Sequence, residues 1–363
     1  MNLQDIKTTQ ILTLVRGRIT KYVPNHGVLN YEELFKTCRS RALHLWNTRI
    51  APELDIQEQR VFERALVDVG IRAGLSIPWT FASGYVFGMV CHTAAGGDLT
   101  RREEAAVICG LMMFFMGTYD HLLDEHPEEF LGIEKLINAE SIENWAKGNN
   151  LDSLKVSSNK VLANGLLKLY QTYFKLCVRL FNRSPDSKLL HTWVQVLRDI
   201  HRVEAESFER RISKITPNEE LIKHTEEPSI VAFWALAVTA CLAEGEDAAR
   251  IIEKFAKGYG RLTWYADDAS DIEKDIGDDR WSGLAIRLAL DAKDNRDIES
   301  IALNLADEAG RIVTMLYEVA GNMYWHPDDK FTLADILWAY IWAWLGGSYE
   351  QSADQEPSQQ VAI

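Results

Sequence analysis

The sequence concentrates carboxylates in one short segment, DDASDIEKD, at residues 267–275. Asp267, Asp271 and Asp275 are four residues apart, and each step of four on an α-helix turns only ~40° around the axis. The three carboxylates therefore share one helix face, with Asp268 beside them, and they repel one another. Oxygen donors without His or Cys favour hard cations, Mg²⁺ first and Mn²⁺ second. We expect this segment to bind metal.

The alternative is a solvated acidic helix face, which is the usual meaning of a charge run. Two features argue against it. The residues before the cluster are apolar and aromatic, including Phe255, Leu262, Trp264 and Tyr265, which predicts a helix that is buried up to its acidic end. Gly277 predicts a C-cap. The carboxylates would then lie at a helix C-terminus, where the macrodipole disfavours negative charge.

A second acidic pair, Asp120 and Asp124, has the same four-residue spacing near the end of a helix predicted over residues 100–125. In both helices the face preceding the carboxylates is apolar or small (Met113, Met116 and Gly117 in one, Ala256, Gly260 and Trp264 in the other). Two such helices would enclose an apolar well with metal ions at its mouth. The alternative is two ordinary amphipathic helices that end in acidic loops.

Composition limits the possible partners. The chain has 363 residues, 47% of them hydrophobic, and a formal charge of −14. This balance argues against a nucleic-acid backbone or an anionic membrane as a partner. An anionic substrate would need a metal to bridge it to so acidic a protein.

The N-terminal segment, the apolar runs and the cysteines bear on secretion, membrane insertion and disulfide formation. The N-terminus has no apolar segment typical of a secretory signal, and the longest apolar runs, residues 230–243 and 336–347, are too short to span a bilayer. We therefore expect no membrane insertion. The cysteines are odd in number and scattered, which is typical of reduced core thiols in a cytoplasmic protein. They are Cys38, Cys91, Cys109, Cys177 and Cys241.

Helical periodicity runs through the chain, and strand-like alternation is hard to find. This predicts an all-α fold of about 10–12 helices. We expect one domain over residues 1–350 and a disordered tail over 351–363. The predicted helices cover residues 60–72, 75–93, 100–125, 162–180, 189–212, 247–275, 295–323 and 333–349. A further helix from Thr216 is expected to break at Glu227-Pro228, followed by an apolar, central helix over residues 229–243.

The acidic segments resemble the two motifs of class I isoprenoid synthases, and within them the terpene cyclases. The second family motif reads Asn/Asp-Asp-x-x-Ser/Thr-x-x-Lys/Arg-Glu/Asp. Asp267-Asp268 matches its start, Lys274-Asp275 matches its end, and Asp271 replaces the usual Ser or Thr. In the first motif, Tyr119 or His121 stands where the family often has another Asp. The helical layout of the family would cover roughly residues 30–350.

The resemblance implies a single helical bundle around a central apolar cavity. It also implies three Mg²⁺ ions, replaceable by Mn²⁺, that bind a prenyl diphosphate. Asp120 and Asp124 would hold part of the metal cluster, and Asp267, Asp271 and Asp275 the rest. The enzyme would be a lyase that ionises a linear C15 or C20 diphosphate, cyclises the carbocation and releases diphosphate.

The resemblance further implies basic groups that bind the diphosphate. Lys274 would donate to one of its oxygens. Lys223 stands near the family's basic sensor position, with Arg210 and Arg211 as competitors. Arg261 or Arg280 would substitute for a C-terminal Arg-Tyr pair that this sequence lacks. Trp264 is the first candidate to line the hydrocarbon cavity, and others are Trp338, Tyr340, Trp342 and Trp344.

Two alternatives remain open. A chain-elongating prenyltransferase would carry paired arginines after its first motif, where this chain has Glu125-His126-Pro127. A non-catalytic helical binding protein would be expected to lose carboxylates that are kept here. A di-iron bundle needs Glu-x-x-His pairs, which are absent. Histidines such as His201 are interpreted as surface or core residues, and a homodimer remains open.

Overall fold

The computed structural model describes residues 7–22, 40–41, 43–53, 77–125, 133, 136–149, 160–207, 214–292 and 297–321. These residues form helices and contain no β-strand, which confirms the all-α prediction. The α-helices of the described part are α1 (Thr8–Ile19), α2 (Ile77–Ala94), α3 (Arg102–Glu125), α4 (Ala139–Ala146), α5 (Val161–Phe181), α6 (Ser187–Ser207), α7 (Glu219–Ala240), α8 (Glu246–Gly277), α9 (Gly283–Ala292) and α10 (Ile298–Gly321).

Several predicted helices are found close to their expected bounds, namely α2, α3, α5, α6, α8 and α10. The periodicity did not lead us to α1, α4 or α9. The predicted helices over residues 60–72 and 333–349 lie outside the described residues. So do the predicted tail over 351–363 and the four C-terminal aromatic candidates for the cavity lining, Trp338, Tyr340, Trp342 and Trp344. The domain boundary at residue 350 stays a prediction. Among the described helices, none is both long and apolar enough to cross a membrane.

Helix α7 is the centre of the described bundle, as its apolar sequence predicted. It packs against α2, α3, α6, α8 and α9. Its second half is buried on every side, so that Ala235, Leu236, Ala237 and Val238 expose no surface. Because α7 contacts both α3 and α8, it fixes the two helices that carry the acidic segments relative to each other.

The predicted helix break at Glu227-Pro228 is wrong. Helix α7 runs without interruption from Glu219 to Ala240 with Pro228 inside it. Proline has no N–H, so the carbonyl of His224 loses its i→i+4 partner, at a usual cost of about 3 kcal/mol or more. Burial of the residues that follow, against α2, α3 and α8, offsets this cost.

Helices α7 and α8 approach each other backbone to backbone just after the proline. A Cβ atom on Gly260 would lie 2.4 Å from the carbonyl oxygen of Ser229 and 2.8 Å from the Cα of Ile230. Only glycine fits such a contact without moving a helix. Gly260 therefore sets how closely the acidic helix packs against the central one.

Two glycines also bring α2 and α3 together. A Cβ on Gly84 would lie 2.5 Å from the Cβ of Met113, and one on Gly88 would lie 2.4 Å from the Cβ of Cys109. The spacing of four residues places both glycines on one face of α2. The close packing holds α3, which carries Asp120, against α2.

The N-terminal helix α1 packs against α8 and α10. Glu273 of α8 accepts hydrogen bonds from Lys7 Nζ at 3.0 Å and from the backbone N–H of Thr8 at 2.8 Å. At the other end of α1, Arg18 donates to Asp307 at 2.6 Å. Glu273 thus belongs to the acidic sequence segment but serves as an attachment point for α1.

The described cysteines are free thiols in the core. Cys91, Cys109, Cys177 and Cys241 are all buried, and burial raises the pKa of each thiol. These four therefore match the prediction of reduced thiols in the core.

Candidate metal site

Helix α8 carries the main acidic cluster in its last three turns. The expected C-cap at Gly277 is wrong by one residue, because Gly277 is the last helical residue and Asp278 is the C-cap. Asp279, the next residue, adopts the left-handed conformation (φ 60°). The N–H of Arg280 donates to the carbonyl of Asp275 at 2.8 Å, and that of Asp279 to Ile276 at 3.3 Å. These two bonds form a Schellman motif, which closes the helix end.

Asp267 is exposed to solvent and has a strongly raised pKa. Its side chain is exposed, yet desolvation by the surrounding protein raises its pKa well above the usual range. The charges of Asp271, Asp268, Asp275 and Asp120 raise it further. Both observations fit a carboxylate that lines a water-accessible hollow with protein around it.

The structure brings the two predicted acidic segments together. Asp120 is exposed on α3, and its charge raises the pKa of Asp267 on α8. Such an effect requires the two carboxylates to lie near each other, although they are far apart in sequence. Asp124 lies in the last turn of α3, and its side chain is outside the described part.

Asp271 and Asp275 lie half-buried on the same face. Burial raises both pKa values, and the charge of Asp271 helps to raise that of Asp275 to about 6. The Lys274 ammonium acts against both shifts, and a hydrogen bond from Ser282 and the Arg280 guanidinium act against that of Asp275. Lys274 and Arg280 therefore place positive charge at the edge of the cluster.

Asp268 has a different role from its neighbours. It is buried, and its Oδ2 accepts the backbone N–H of Leu284 at 3.0 Å, in the first turn of α9. Asp268 thus satisfies an otherwise unpaired donor at a helix start. We interpret it as a structural acceptor and not as a metal ligand.

The N-terminus of α9 offsets part of the unfavourable interaction expected between the carboxylates and the C-terminus of α8. The acidic end of α8 lies beside the N-terminus of α9, whose dipole favours negative charge. Ser282 precedes α9, and its Oγ accepts the N–H of Ala285 at 3.4 Å. A serine before an apolar run is an N-cap signal, and it would have predicted this helix.

The donor set of the acidic cluster fits a hard cation. Asp120, Asp267, Asp271 and Asp275 offer only carboxylate oxygens, and their mutual repulsion would be relieved by positive charge. They do not form a three-ligand cage within the part of the chain that the structure describes. Mg²⁺ usually takes one or two protein carboxylates and completes its shell with water and substrate phosphate. The spread of these groups fits ions shared with an anionic ligand.

Another group of potential ligands lies between α6 and α7. The ligand atoms of Glu206, His224 and Glu227 all lie within 4.8 Å of one another. Arg202 donates to Glu206 at 3.1 Å and to Glu227 at 2.7 Å. A guanidinium thus already balances both carboxylates, and we do not assign a metal to this group.

The predicted substrate-binding cations Lys223 and Arg261 lie on different helices. Lys223 is exposed on α7. Arg261 lies 2.9 Å from a Glu226 oxygen and donates to Glu308 at 3.2 Å, which ties α8 to α7 and α10. Because the guanidinium of Arg261 already contacts the carboxylates of Glu226 and Glu308, we interpret it as a structural ion-pair partner and not as a diphosphate-binding group.

Trp264 points its ring toward α9. A Cβ on Gly283 would lie 2.1 Å from the ring, so the indole lies directly against that glycine. It lines a small cavity together with Arg261, Tyr265 and Asp268, whereas Asp267, Asp271 and Asp275 are not among the lining residues. Its expected contact with a hydrocarbon substrate stays a prediction.

An aromatic cluster that the sequence did not reveal includes Tyr119, the residue before Asp120. The ring of Tyr119 meets His201 edge to face at 5.1 Å, and Phe115 stacks on Tyr170 with 4.0 Å between ring centroids. Tyr170 Oη and His201 Nε2 are hydrogen-bonded at 3.0 Å, and burial lowers the pKa of His201 to about 3. The cluster is therefore uncharged near neutral pH. Helical periodicity could predict that these residues are buried in the core, but it could not predict which side chains of α3, α5 and α6 contact one another.

Comparison with known proteins identifies no relative, because no family model, no curated protein and no solved structure matches this chain. What the fold and the site define is therefore an all-α protein in which the charge of a carboxylate on α3 acts on the carboxylate of Asp267 on α8.

The raised pKa of Asp275, about 6, predicts an unusual pH dependence without divalent cations. The unfolded chain releases this proton near pH ~3.9. The folded protein holds it more tightly, so the stabilisation is complete below that pH and is lost as the pH rises through about 6. Asp267 and Asp271 shift in the same direction. His201 acts in the opposite direction, because its lowered pKa makes protonation favour the unfolded chain as the pH falls through about 6.5. The contribution of Asp275 is therefore expected as a difference between two proteins. Between about pH 7 and pH 5 in chelator, the melting temperature of the parent should rise by about 1–2 °C relative to that of a variant without this carboxylate.

Thermal denaturation across this pH range checks the prediction, with Asp275→Asn as the matched variant. The melting temperature of the parent minus that of the variant should grow as the pH falls, because His201 titrates in both proteins and the asparagine of the variant does not titrate. Identical falling profiles in both proteins would contradict the assigned environment of Asp275.

Proposed function

We propose that the chain is a Mg²⁺-dependent class I terpene cyclase. Its substrate would be a linear prenyl diphosphate, C15 or C20, and its products diphosphate and a cyclic olefin or alcohol. The observation that carries the proposal is the electrostatic coupling of Asp120 on α3 to Asp267 on α8. A solvated acidic face on one helix would not explain why the charge of a carboxylate on a second helix acts on Asp267.

The residues of the cluster have distinct parts in this proposal. Asp120, Asp267, Asp271 and Asp275 would hold the cations. When bound, Mg²⁺ neutralises the diphosphate leaving group and so favours cleavage of the allylic C–O bond. Lys274 and Arg280 flank Asp275 and would donate N–H groups to diphosphate oxygens, which are strong charge-assisted acceptors.

The aromatic cluster that includes Tyr119 would serve the carbocation. Faces of aromatic rings attract positive charge without acting as nucleophiles. Phe115, Tyr119 and Tyr170 supply such rings, and His201, neutral because of its lowered pKa, adds no positive charge that would oppose a cation. A dry aromatic wall also protects a reactive cation from water.

The deciding experiment offers the protein C10, C15, C20 and C25 allylic diphosphates with Mg²⁺, each alone and with isopentenyl diphosphate. Gas chromatography and mass spectrometry identify the products, and released diphosphate is quantified. We expect an olefin or alcohol from C15 or C20 alone, with no longer chain on adding isopentenyl diphosphate. The reason is that elongation needs a second anion site, and the surplus carboxylates here would repel a second anion.

Two other outcomes would favour the alternatives. Elongated products that appear only with isopentenyl diphosphate would indicate a prenyltransferase. Mg²⁺-dependent binding of a diphosphate without its release would indicate a non-catalytic binding protein. Full turnover in excess chelator would contradict the metal dependence common to the cyclase and the transferase.

A further inference from the structure

A small cavity lies where α7, α8, α9 and α10 meet, and it is separate from the row formed by Asp267, Asp271 and Asp275. Its volume is about 20 Å³, which is room for one water molecule. Its walls are formed by apolar residues of α7, α9 and α10, by Trp264 and Tyr265, and by charged side chains. The charged residues are Glu226, Arg261, Asp268, Arg287 and Glu308. Arg261 and Arg287 already have Glu226 and Glu219 as ionic partners. A site of this size excludes larger ligands unless the helices move.

Three buried donors of the cavity wall make no hydrogen bond among the described residues. One of them, Arg261 Nε, lies 2.9 Å from a Glu226 oxygen and so has an ionic partner, which leaves two donors without a partner in this part of the chain. Tyr265 is only 5% exposed, and its hydroxyl makes no hydrogen bond there. The indole Nε1 of Trp264 is likewise buried without a partner. Buried polar groups in folded proteins are nearly always hydrogen-bonded, to protein or to ordered water. Two such donors at one cavity point to a bound acceptor.

Acceptors for a bridging molecule line the same cavity. The charges of Glu308 and Asp268 help to raise the pKa of Tyr265, so both carboxylates lie near its hydroxyl. Glu308 Oε1 accepts from Arg261 at 3.2 Å, and a carboxylate has about four acceptor positions in all. Neither carboxylate reaches the Tyr265 hydroxyl directly. A bridging molecule must therefore both accept and donate.

We propose that this cavity binds one ordered water molecule. The water accepts the Tyr265 O–H and the Trp264 N–H, and it donates to the carboxylates of Glu308 and Asp268. Its two lone pairs and two protons match two donors and two acceptors, and such sites hold conserved internal water in other proteins. The water links α8 to α10, and through Asp268 to the start of α9. This inference does not rest on the proposed enzymatic function.

The change in stability caused by Tyr265→Phe tests the proposal, because its sign depends on whether the water is present. If the water is present, Tyr265→Phe removes one of its bonds, and the folding equilibrium constant should fall about tenfold. If the cavity is dry, the same change removes an unsatisfied buried hydroxyl and should leave stability unchanged or increase it. Chemical denaturation of the full chain measures the difference.

Thr80→Val is a matched control. The Thr80 hydroxyl is also buried without a partner among the described residues, but Thr80 is not part of this cavity wall. Its replacement should not lower stability. A crystal structure of the full chain gives the second measurement, with water expected within hydrogen-bond distance of both Tyr265 Oη and Trp264 Nε1. An empty cavity, or a Tyr265→Phe protein as stable as the parent, overturns the proposal.

Discussion

Replacing Asp271 by alanine is expected to lower the kcat of the proposed cyclase by roughly 10²- to 10⁴-fold, because neutralisation of a diphosphate leaving group by bound metal contributes several kcal/mol to its release. The fold should survive. The charge of Asp271 raises the pKa of both Asp267 and Asp275, so its removal relieves repulsion between like charges. Diphosphate release measures activity, and circular dichroism measures helix content and melting temperature. The melting temperature should stay the same or rise.

Asp268 supplies the control on the same helix. In Asp268→Asn the amide oxygen can still accept the N–H of Leu284, so activity should remain close to that of the parent. In Asp268→Ala the cap is lost, and stability should fall by about 1–2 kcal/mol. Inactive Asp268→Asn would show that this carboxylate binds metal after all. Unfolded Asp271→Ala would show that the whole cluster is structural.

Replacing Gly260 by alanine is expected to lower the free energy of unfolding by about 3 kcal/mol, at the upper end of the usual cost of overpacking. The new Cβ would lie 2.4 Å from the carbonyl oxygen of Ser229. Because the neighbour is backbone, no side-chain rotation can relieve the clash. Urea denaturation measures the change, and activity should fall with it because α8 would shift relative to α7.

Gly17→Ala is the matched control within a helix. A Cβ at this position meets nothing within 4 Å, and alanine is the better helix former by about 1 kcal/mol. Its stability should therefore rise. If Gly260→Ala proved as stable as Gly17→Ala, the close approach of α7 and α8 would be wrong.

Spacing along the helix was enough to predict the acidic helix. The i, i+4, i+8 positions of Asp267, Asp271 and Asp275 predicted a shared face, and helix α8 spans Glu246–Gly277, within two residues of the expected bounds. The apolar sequence of α7 likewise predicted its central place. In both cases the information is local, since periodicity depends only on neighbouring residues.

Contacts between distant residues could not be predicted in the same way. Asp268 has the residue type and position of a ligand, but its partner is the backbone of Leu284 in a helix that the periodicity had not identified. Arg261 resembles a diphosphate binder until Glu226 and Glu308 are placed beside it. Pro228 predicts a break unless the burial of the helix is known. The roles of Asp268 and Arg261 and the uninterrupted helix at Pro228 all depend on tertiary packing, which overrides the local conformational preference of the sequence.

The central claim is that both acidic segments bind one metal–diphosphate complex. Isothermal titration of inorganic diphosphate tests it most directly, with and without Mg²⁺, in the parent and in Asp120→Ala and Asp271→Ala. The account predicts binding to the parent only with Mg²⁺, and loss of binding in each variant, because each removes a carboxylate from a different helix. Binding without Mg²⁺, or undiminished binding in either variant, would contradict the shared site.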